Sequence, residues 1–193
     1  MNQQSRMHSS LHASIDVETA DNNRSSICQV GVVIYEHGEQ VETYETFVDP
    51  RVPFGIHQTR VHGLSAASVA GAPTWPIVAG KLRRLLDGMV LSAHSMFDKQ
   101  AVEAANALAG LPNFNVRWLN TVNVLPRAWP DDFNGQPCGL QRVAQVWGVK
   151  FQHHDALADA KMSGLILARA CRAHGLTPEQ WLLRCNLPVE VHL

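Results

Sequence analysis

The run from Ser26 to Tyr35 constrains the fold of this chain more than any other segment. It is rich in β-branched residues and is typical of a central strand. His37-Gly38 follows as a turn signal, and Glu39 to Val48 alternates apolar with polar side chains, which predicts an antiparallel hairpin. A shorter apolar segment, Leu11 to Val17, precedes both. We therefore expect three antiparallel strands at the beginning of the sheet.

The remainder of the chain alternates predicted helices with short strands. This order is typical of an α/β layered domain in which parallel strands continue a mixed sheet. We expect loops over residues 49–71 and 126–139, where prolines and glycines interrupt the apolar patterns. The predicted helices cover Thr74–Asp87, Phe97–Leu108, Leu140–Trp147, Asp155–His174 and a short segment capped by Thr177-Pro178, and the predicted strands cover Met89–Ala93 and Val116–Leu119.

The bulk properties fit one globular domain. At 193 residues, with 46% hydrophobic and 17% charged residues, the chain can bury a core of ordinary size. The net charge of −1 argues against a protein that coats nucleic acid, but not against an enzyme that grips a strand end. We expect a disordered tail over residues 1–10, the main domain over 11–175, and a C-terminal helix and tail over 176–193.

The cysteines and the hydropathy bear on location. Cys28, Cys138, Cys171 and Cys185 form no CxxC pair and no Cys–His metal spacing. We therefore expect free, mostly buried thiols in a reducing compartment. No apolar stretch reaches the ~18–20 residues that cross a bilayer, and the first residues lack the apolar middle of a secretory signal. The sequence predicts a cytoplasmic protein without membrane attachment.

Two acidic residues end the first predicted strand, where solubility does not require them. Asp16 and Glu18 are two positions apart, so both side chains point to one face of a strand. Such carboxylates repel each other unless a cation neutralises them, and hard oxygen ligands favour Mg²⁺ or Mn²⁺. The alternative is a fraying strand end with two solvated acids.

Two later segments carry acids at the start of predicted helices. Asp98 follows a short apolar strand, where an acid can also serve only to stabilise the helix dipole. His154 and Asp159 are five apart and can meet only if His154 precedes the helix, with Asp155 as its N-cap. We expect His153 to be a solvated neighbour. Metal-dependent phosphodiester hydrolysis needs several carboxylates around two ions ~3.5–4 Å apart and a base for a water molecule.

Together these segments resemble the motifs of the DEDDh exonucleases, which include the proofreading subunit of bacterial replicative polymerase and ribonuclease T. The first motif resembles Ile15-Asp-Val-Glu-Thr19, the second resembles Ala93-His-Ser-Met-Phe-Asp98, and the third, His-x-Ala-x-x-Asp-Ala, is matched by His154 to Ala160. The resemblance covers about residues 11–172. The segment Val61-His-Gly-Leu64 is similar to bacterial stand-alone relatives of the proofreading subunit.

The resemblance implies a ribonuclease H-like fold and a two-metal 3′→5′ exonuclease that uses Mg²⁺ or Mn²⁺. It further implies release of 5′-mononucleotides from the 3′ ends of single-stranded nucleic acid, with DNA favoured and RNA as the alternative. The residues carried over are the metal ligands Asp16, Glu18, Asp98 and Asp159, the general base His154, and the substrate-contacting residues Thr19, His62 and Leu64.

The sequence also departs from the family pattern. Ser95 stands where relatives usually have Asn, which puts one polar contact near the metal site in doubt. The segments 120–126 and 129–139 are unusual as well, so the choice of substrate stays open. Relatives form homodimers or join a polymerase, and no segment here favours either partner.

Two other interpretations compete with the enzyme. A catalytically inactive nucleic-acid-binding or interaction module on the same fold would be expected to lack a metal carboxylate or the histidine, and none is missing. An unrelated metal-binding or structural protein would require three ordered motifs to arise by chance. We therefore favour the enzyme.

Overall fold

A five-stranded sheet in the order β3-β2-β1-β4-β5 forms the centre of the molecule. It is seen in a computed structural model that describes residues 11–186, so the predicted tail over 1–10 and the last seven residues of the predicted C-terminal helix and tail over 176–193 lie outside the described part. β1, β2 and β3 pair antiparallel, whereas β4 and β5 run parallel to β1, which confirms the predicted mixed sheet. The strands are β1 (His12–Thr19), β2 (Ile27–Glu36), β3 (Glu39–Phe47), β4 (Val90–Ala93) and β5 (Arg117–Asn120).

The five predicted helices are present, with boundaries within a residue or two. Asp155 caps the long helix by accepting the Ala158 N–H, and Thr177 caps the last one by accepting the Gln180 N–H. The helices are α1 (Ile56–His62), α2 (Trp75–Leu86), α3 (Phe97–Leu108), α4 (Leu125–Ala128), α5 (Pro130–Phe133), α6 (Leu140–Trp147), α7 (Ala156–His174) and α8 (Pro178–Asn186), with a 3-10 turn over Thr121–Asn123.

Two predicted loops were wrong in part, because each contains helix. The segment 49–71 includes α1, which has no buried residue, so no apolar pattern marks it in the sequence. The segment 126–139 overlaps α4 and includes α5. Pro126 and Pro130 lie in the first turns of these helices, where proline starts a helix instead of breaking it.

The two faces of the sheet are covered by different helices. Ala13, Ile15 and Val17 of β1 pack into a core with apolar residues of α2 and α3. The alternate side chains of β1, which include Asp16 and Glu18, point to the opposite face, where α7 lies. The period of two in β1 thus separates an apolar face from a face that carries acids.

Helix α7 begins very close to the sheet. A Cβ atom on Gly31 of β2 would overlap the backbone of Ala156 and Leu157, so only glycine permits this approach. Ala156 and Ala160 are fully buried, as expected for small residues that let a helix lie against strands. Gly31 pairs with Asp16 across the two strands, so the first turn of α7 reaches the acids of β1.

The prediction of mostly buried thiols was wrong, because only Cys28 is buried, whereas Cys138, Cys171 and Cys185 are partly exposed. All four cysteines are free, and burial raises the pKa of Cys28 to about 12. Among the described helices, none combines the length and the apolar character needed to cross a membrane.

Candidate active site

Three distant chain segments meet around one cavity of about 330 Å³. The end of β1 contributes two acids, the first turn of α3 contributes Asp98, and the first turn of α7 contributes Asp159. His154 also lines the cavity, from the segment just before α7. The structure therefore brings all four predicted metal ligands and the predicted base to one place.

Backbone groups hold two of these acids in position. Asp98 accepts the Val17 N–H at 3.1 Å, which ties α3 to β1. Asp159 accepts the His154 N–H at 3.0 Å, which ties α7 to the segment before it. One oxygen each from Asp16, Glu18 and Asp159 lies within 4.8 Å of the others, a spacing at which a single cation can contact all three.

The acids share an unfavourable electrostatic environment. Burial, and then the charges of Asp98 and Asp159, raise the pKa of Asp16 well above its usual range. Burial and the same two neighbours raise the pKa of Glu18 to about 7. Burial also raises the pKa of Asp98 to about 7, although the Val17 N–H opposes this. Among the described residues lining this cavity there is no lysine or arginine, so a divalent cation suits the donor set.

The position of His153 differs from what the sequence predicted. His153 is half-buried, and its Nδ1 lies 3.0 and 2.9 Å from the two carboxylate oxygens of Asp159, so the prediction of a solvated neighbour was wrong. His154 is exposed, and its ring stacks on that of His153 with centroids 3.9 Å apart. The sequence feature that could have revealed this contact is the pair of adjacent histidines just before the N-cap of α7.

His94 has a positioning role that the sequence did not reveal. Its Nε2 donates to the Cys138 carbonyl at 2.6 Å, and its Nδ1 lies 2.9 Å from Thr121 Oγ1. Burial lowers the pKa of His94 to about 4, so the ring is neutral near pH 7. This contact holds the second motif against the segment that leads into α6.

Ser95 accepts the Phe97 N–H at 3.0 Å, so the residue that replaces the usual Asn stabilises the start of α3.

The predicted substrate residues separate into two groups. Thr19 and His62 line a neighbouring cavity of about 350 Å³, and His62 Nε2 donates to the Thr19 carbonyl at 3.2 Å. Burial lowers the pKa of His62, in agreement with a neutral ring that also accepts the Leu64 N–H. The Leu64 side chain packs in a small cluster with Ala20 and Cys28 and does not line that cavity.

Comparison with known proteins identifies the family. The exonuclease family model, RNase_T, matches residues 14–167. The PolC-type DNA polymerase III of Caldanaerobacter subterraneus subsp. tengcongensis is 30% identical over 158 residues, which is 80% of this chain and 11% of that protein. The 3′-5′ exonuclease DinG of Bacillus subtilis is 28% identical over 157 residues, which is 79% of this chain and 16% of that protein. The chain thus spans a small part of either relative.

Solved structures show the same architecture. Exonuclease X in complex with 5′ overhanging duplex DNA has a TM-score of 0.73 at 22% identity, covering 90% of this chain and 99% of that one. The nuclease domain of 3′hExo, a DEDDh family member bound to rAMP, has a TM-score of 0.70 at 19% identity, covering 86% and 93%. This chain therefore belongs to the RNase_T exonuclease family and has the ribonuclease H-like fold of the DEDDh exonucleases.

Proposed function

We propose that this chain hydrolyses phosphodiester bonds from the 3′ end of single-stranded nucleic acid and releases 5′-mononucleotides. The observation that carries the proposal is one cavity lined by four carboxylates from three segments, in which the pKa values of Asp16, Glu18 and Asp98 are all raised. Acids gathered in this way destabilise a fold unless cations compensate them. Such clusters are therefore expected at sites that use metal ions.

Asp16, Glu18, Asp98 and Asp159 are the proposed ligands of two divalent cations. Carboxylate oxygens are hard donors, so Mg²⁺ or Mn²⁺ is the expected occupant. When bound, such ions lower the pKa of a water molecule and stabilise charge on the phosphate. The chain itself contributes a rigid frame, because the N–H of Val17 holds Asp98 and the N–H of His154 holds Asp159.

His154 is the proposed general base. It occupies the histidine position of the third motif and lies at the rim of the cavity, where a side chain can reach both water and substrate. His153 supports the ring of His154 from one side and contacts Asp159 on the other. We propose that His153 orients Asp159, whereas His154 accepts the proton.

Thr19, His62 and Leu64 are the residues proposed to recognise the terminal nucleotide. The cavity beside Thr19 and His62 shares Glu18 with the acidic cavity, so a nucleotide there would present its phosphate to the carboxylates. Leu64 is expected to act indirectly, since its N–H donates to His62 Nδ1. A terminal nucleotide must be unpaired to enter, which favours single strands.

The direction of cleavage and the sugar preference rest on similarity. DinG is named a 3′-5′ exonuclease, exonuclease X was solved with 5′ overhanging duplex DNA, and 3′hExo was solved with rAMP. We propose DNA as the preferred substrate, with RNA as the alternative. A cytoplasmic location and a homodimer or polymerase partner also stay predictions, the last supported by the PolC-type relative.

The test is digestion of single-stranded DNA and RNA labelled at either end, with Mg²⁺, Mn²⁺ or EDTA. We expect a 3′ label to leave at once as a mononucleotide and a 5′ label to shorten stepwise. Asp98→Asn is the control for contaminating nucleases. The opposite order of products would refute the direction, and cleavage in EDTA would refute the metal requirement.

The same experiment examines the inactive binding module. That interpretation predicts binding of the labelled strand with no cleavage under any metal condition. Fluorescence anisotropy on the same strand separates it from a protein that does not recognise nucleic acid.

A further inference from the structure

An arginine lies beside the candidate active site and has no carboxylate partner in the part of the chain that the structure describes. Arg24 is exposed in the loop between β1 and β2, and within residues 11–186 it forms no ion pair. Its guanidinium lies over the ring of Phe97, 5.0 Å from the ring centroid. Phe97 directly precedes Asp98 and is 37% exposed, so its ring is accessible at the rim of the acidic cavity.

Two cavities adjoin at this point, and Arg24 lines one of them. The acidic cavity and the cavity beside Thr19 share Glu18 and Phe97. Of the described residues that line the two cavities, Arg24 is the sole lysine or arginine. A polyanionic strand that approaches the carboxylates therefore meets one positively charged arginine side chain among these lining residues.

The loop that carries Arg24 is held by side-chain hydrogen bonds. Asn23 donates its N–H to Asp21 Oδ1 at 2.8 Å within the loop. Gln58 of α1 donates to Asn22 Oδ1 at 2.6 Å, which fixes the loop to a separate element. The backbone of Arg24 is thus positioned before any substrate arrives, which reduces the entropy lost on binding.

With the terminal nucleotide in the cavity beside Thr19, the phosphate that is cut would lie at the carboxylates, so a second phosphate at the border of the two cavities would belong to the strand upstream of that bond. We propose that Arg24, whose guanidinium lies over Phe97 at this border, binds that upstream phosphate, with Phe97 holding the guanidinium in place. A guanidinium stacked on a ring leaves its N–H edge free, and this edge matches a pair of phosphate oxygens. The contact offsets repulsion between the strand and the acids. The inference rests on the proposed function and adds to it a residue that favours a strand over a single nucleotide.

Steady-state kinetics with two substrates test this role. One substrate is a single-stranded oligonucleotide, and the other is the p-nitrophenyl ester of thymidine 5′-monophosphate, which has no upstream phosphate. We expect Arg24→Gln to raise the KM for the oligonucleotide ~10-fold with a smaller change in kcat, and to affect the ester much less. The slope of log KM against log salt should fall by about 0.7, as for one lost phosphate contact on a single strand.

Two further variants sharpen the result. Arg24→Lys keeps the charge but loses the planar edge, so its KM should lie between those of the wild type and Arg24→Gln. Arg84→Gln removes an exposed arginine of α2 away from both cavities, and it should stay within ~2-fold of the wild type. A KM change in Arg84→Gln equal to that in Arg24→Gln would reduce the effect to net charge and overturn the proposal.

Other outcomes separate this proposal from the function on which it rests. Equal losses on the oligonucleotide and the ester, or an unchanged salt slope, would show that Arg24 does not bind an upstream phosphate. A wild type that cleaves neither substrate would refute the proposed function alone. Anisotropy of the labelled strand would then still decide whether Arg24→Gln weakens binding, and equal affinity would refute the phosphate contact.

Discussion

The two halves of β1 carry polar residues on the same face of the sheet. The first half provides them with hydrogen-bond partners, whereas the second half places them beside like charges. In the first half, Ser14 is buried and donates to the Ser92 carbonyl at 3.2 Å, while Ser92 donates to the Ala13 carbonyl. In the second half, Asp16 and Glu18 face other acids, and burial with these neighbours raises both pKa values. β1 therefore carries a buried hydroxyl with a hydrogen-bond partner on β4 and, two residues further along, the first of two repelling acids.

The difference shows that the residues of the candidate active site lower the stability of the fold. A buried hydroxyl with a carbonyl partner contributes about 1 kcal/mol to folding. Buried carboxylates without cations lower the free energy of unfolding, because their ionised forms are poorly solvated and repel each other. The first half of β1 adds to the stability of the fold, whereas the second half lowers it unless positive charge is present.

The largest expected effect comes from neutralising an acid. Asp16→Asn should lower cleavage by ~10³-fold or more, equivalent to about 4 kcal/mol, since a proposed metal ligand is lost. In EDTA the same variant should melt about 3 °C higher than the wild type, because a neutral amide replaces a carboxyl whose charged form is disfavoured by burial and by its acidic neighbours. Initial rates and differential scanning fluorimetry measure the two effects.

Ser14→Ala is the matched control on the same face of the same strand. It should lower stability by about 1 kcal/mol and leave the cleavage rate within ~2-fold of the wild type. If Asp16→Asn lowered the melting temperature in EDTA as Ser14→Ala does, the contrast between the two halves would not hold.

The next effect distinguishes the two histidines. His154→Ala should lower kcat by ~10²-fold with little change in KM, as expected for loss of a base. His153→Ala should lower kcat by less than ~10-fold, because its ring contacts Asp159 without taking the proton. A reversed order of the two effects would assign the base to His153.

A smaller effect concerns packing beside Ser14. A Cβ atom on Gly164 of α7 would overlap the Tyr35 ring and lie 3.1 Å from the Ser14 Cβ. We expect Gly164→Ala to cost about 1–2 kcal/mol, since overpacking outweighs the gain in helix propensity, while the folded enzyme stays active. Gly80→Ala in α2 is the control: it meets nothing within 4 Å and should be neutral or stabilising by up to about 1 kcal/mol. Urea denaturation measures both.

The smallest expected effect is a pH dependence in EDTA. Glu18 and Asp98 have folded-state pKa values of about 7, above those of unfolded carboxyl groups near 4. Their stabilisation is present while they are protonated and is lost as pH rises through 7, so the melting temperature should fall by about 3 °C between pH 6.5 and 8. His94, with a folded-state pKa of about 4, adds a smaller opposing rise in stability, because its unfolded form loses its proton near pH 6.5.

Two controls accompany the titration. Glu18→Gln should reduce the fall, because one of the titrating groups is removed. Mn²⁺ should also flatten the curve by favouring the ionised carboxylates. A wild-type curve in EDTA with no slope between pH 6.5 and 8 would contradict the raised pKa values.

Local pattern was sufficient for most of the fold. The β-branched run of β2 and the alternation in β3 predicted the hairpin, and the caps Asp155 and Thr177 predicted where α7 and α8 begin. Helix α1 was missed because none of its residues is buried, and periodicity is visible only where one face of a helix meets a core.

The sequence by itself determined the order of the five strands and of the five helices that pack on a core, and the face of β1 on which Asp16 and Glu18 lie, since a strand repeats every two residues whatever surrounds it. Only the tertiary structure decided that His153 contacts Asp159, that His94 holds the segment before α6, and that Arg24 rests on Phe97. These contacts join residues brought together by packing or by loop geometry. They depend on how closely α7 approaches Gly31 and on the conformation of each loop. The periodicity of a single helix or strand does not specify either.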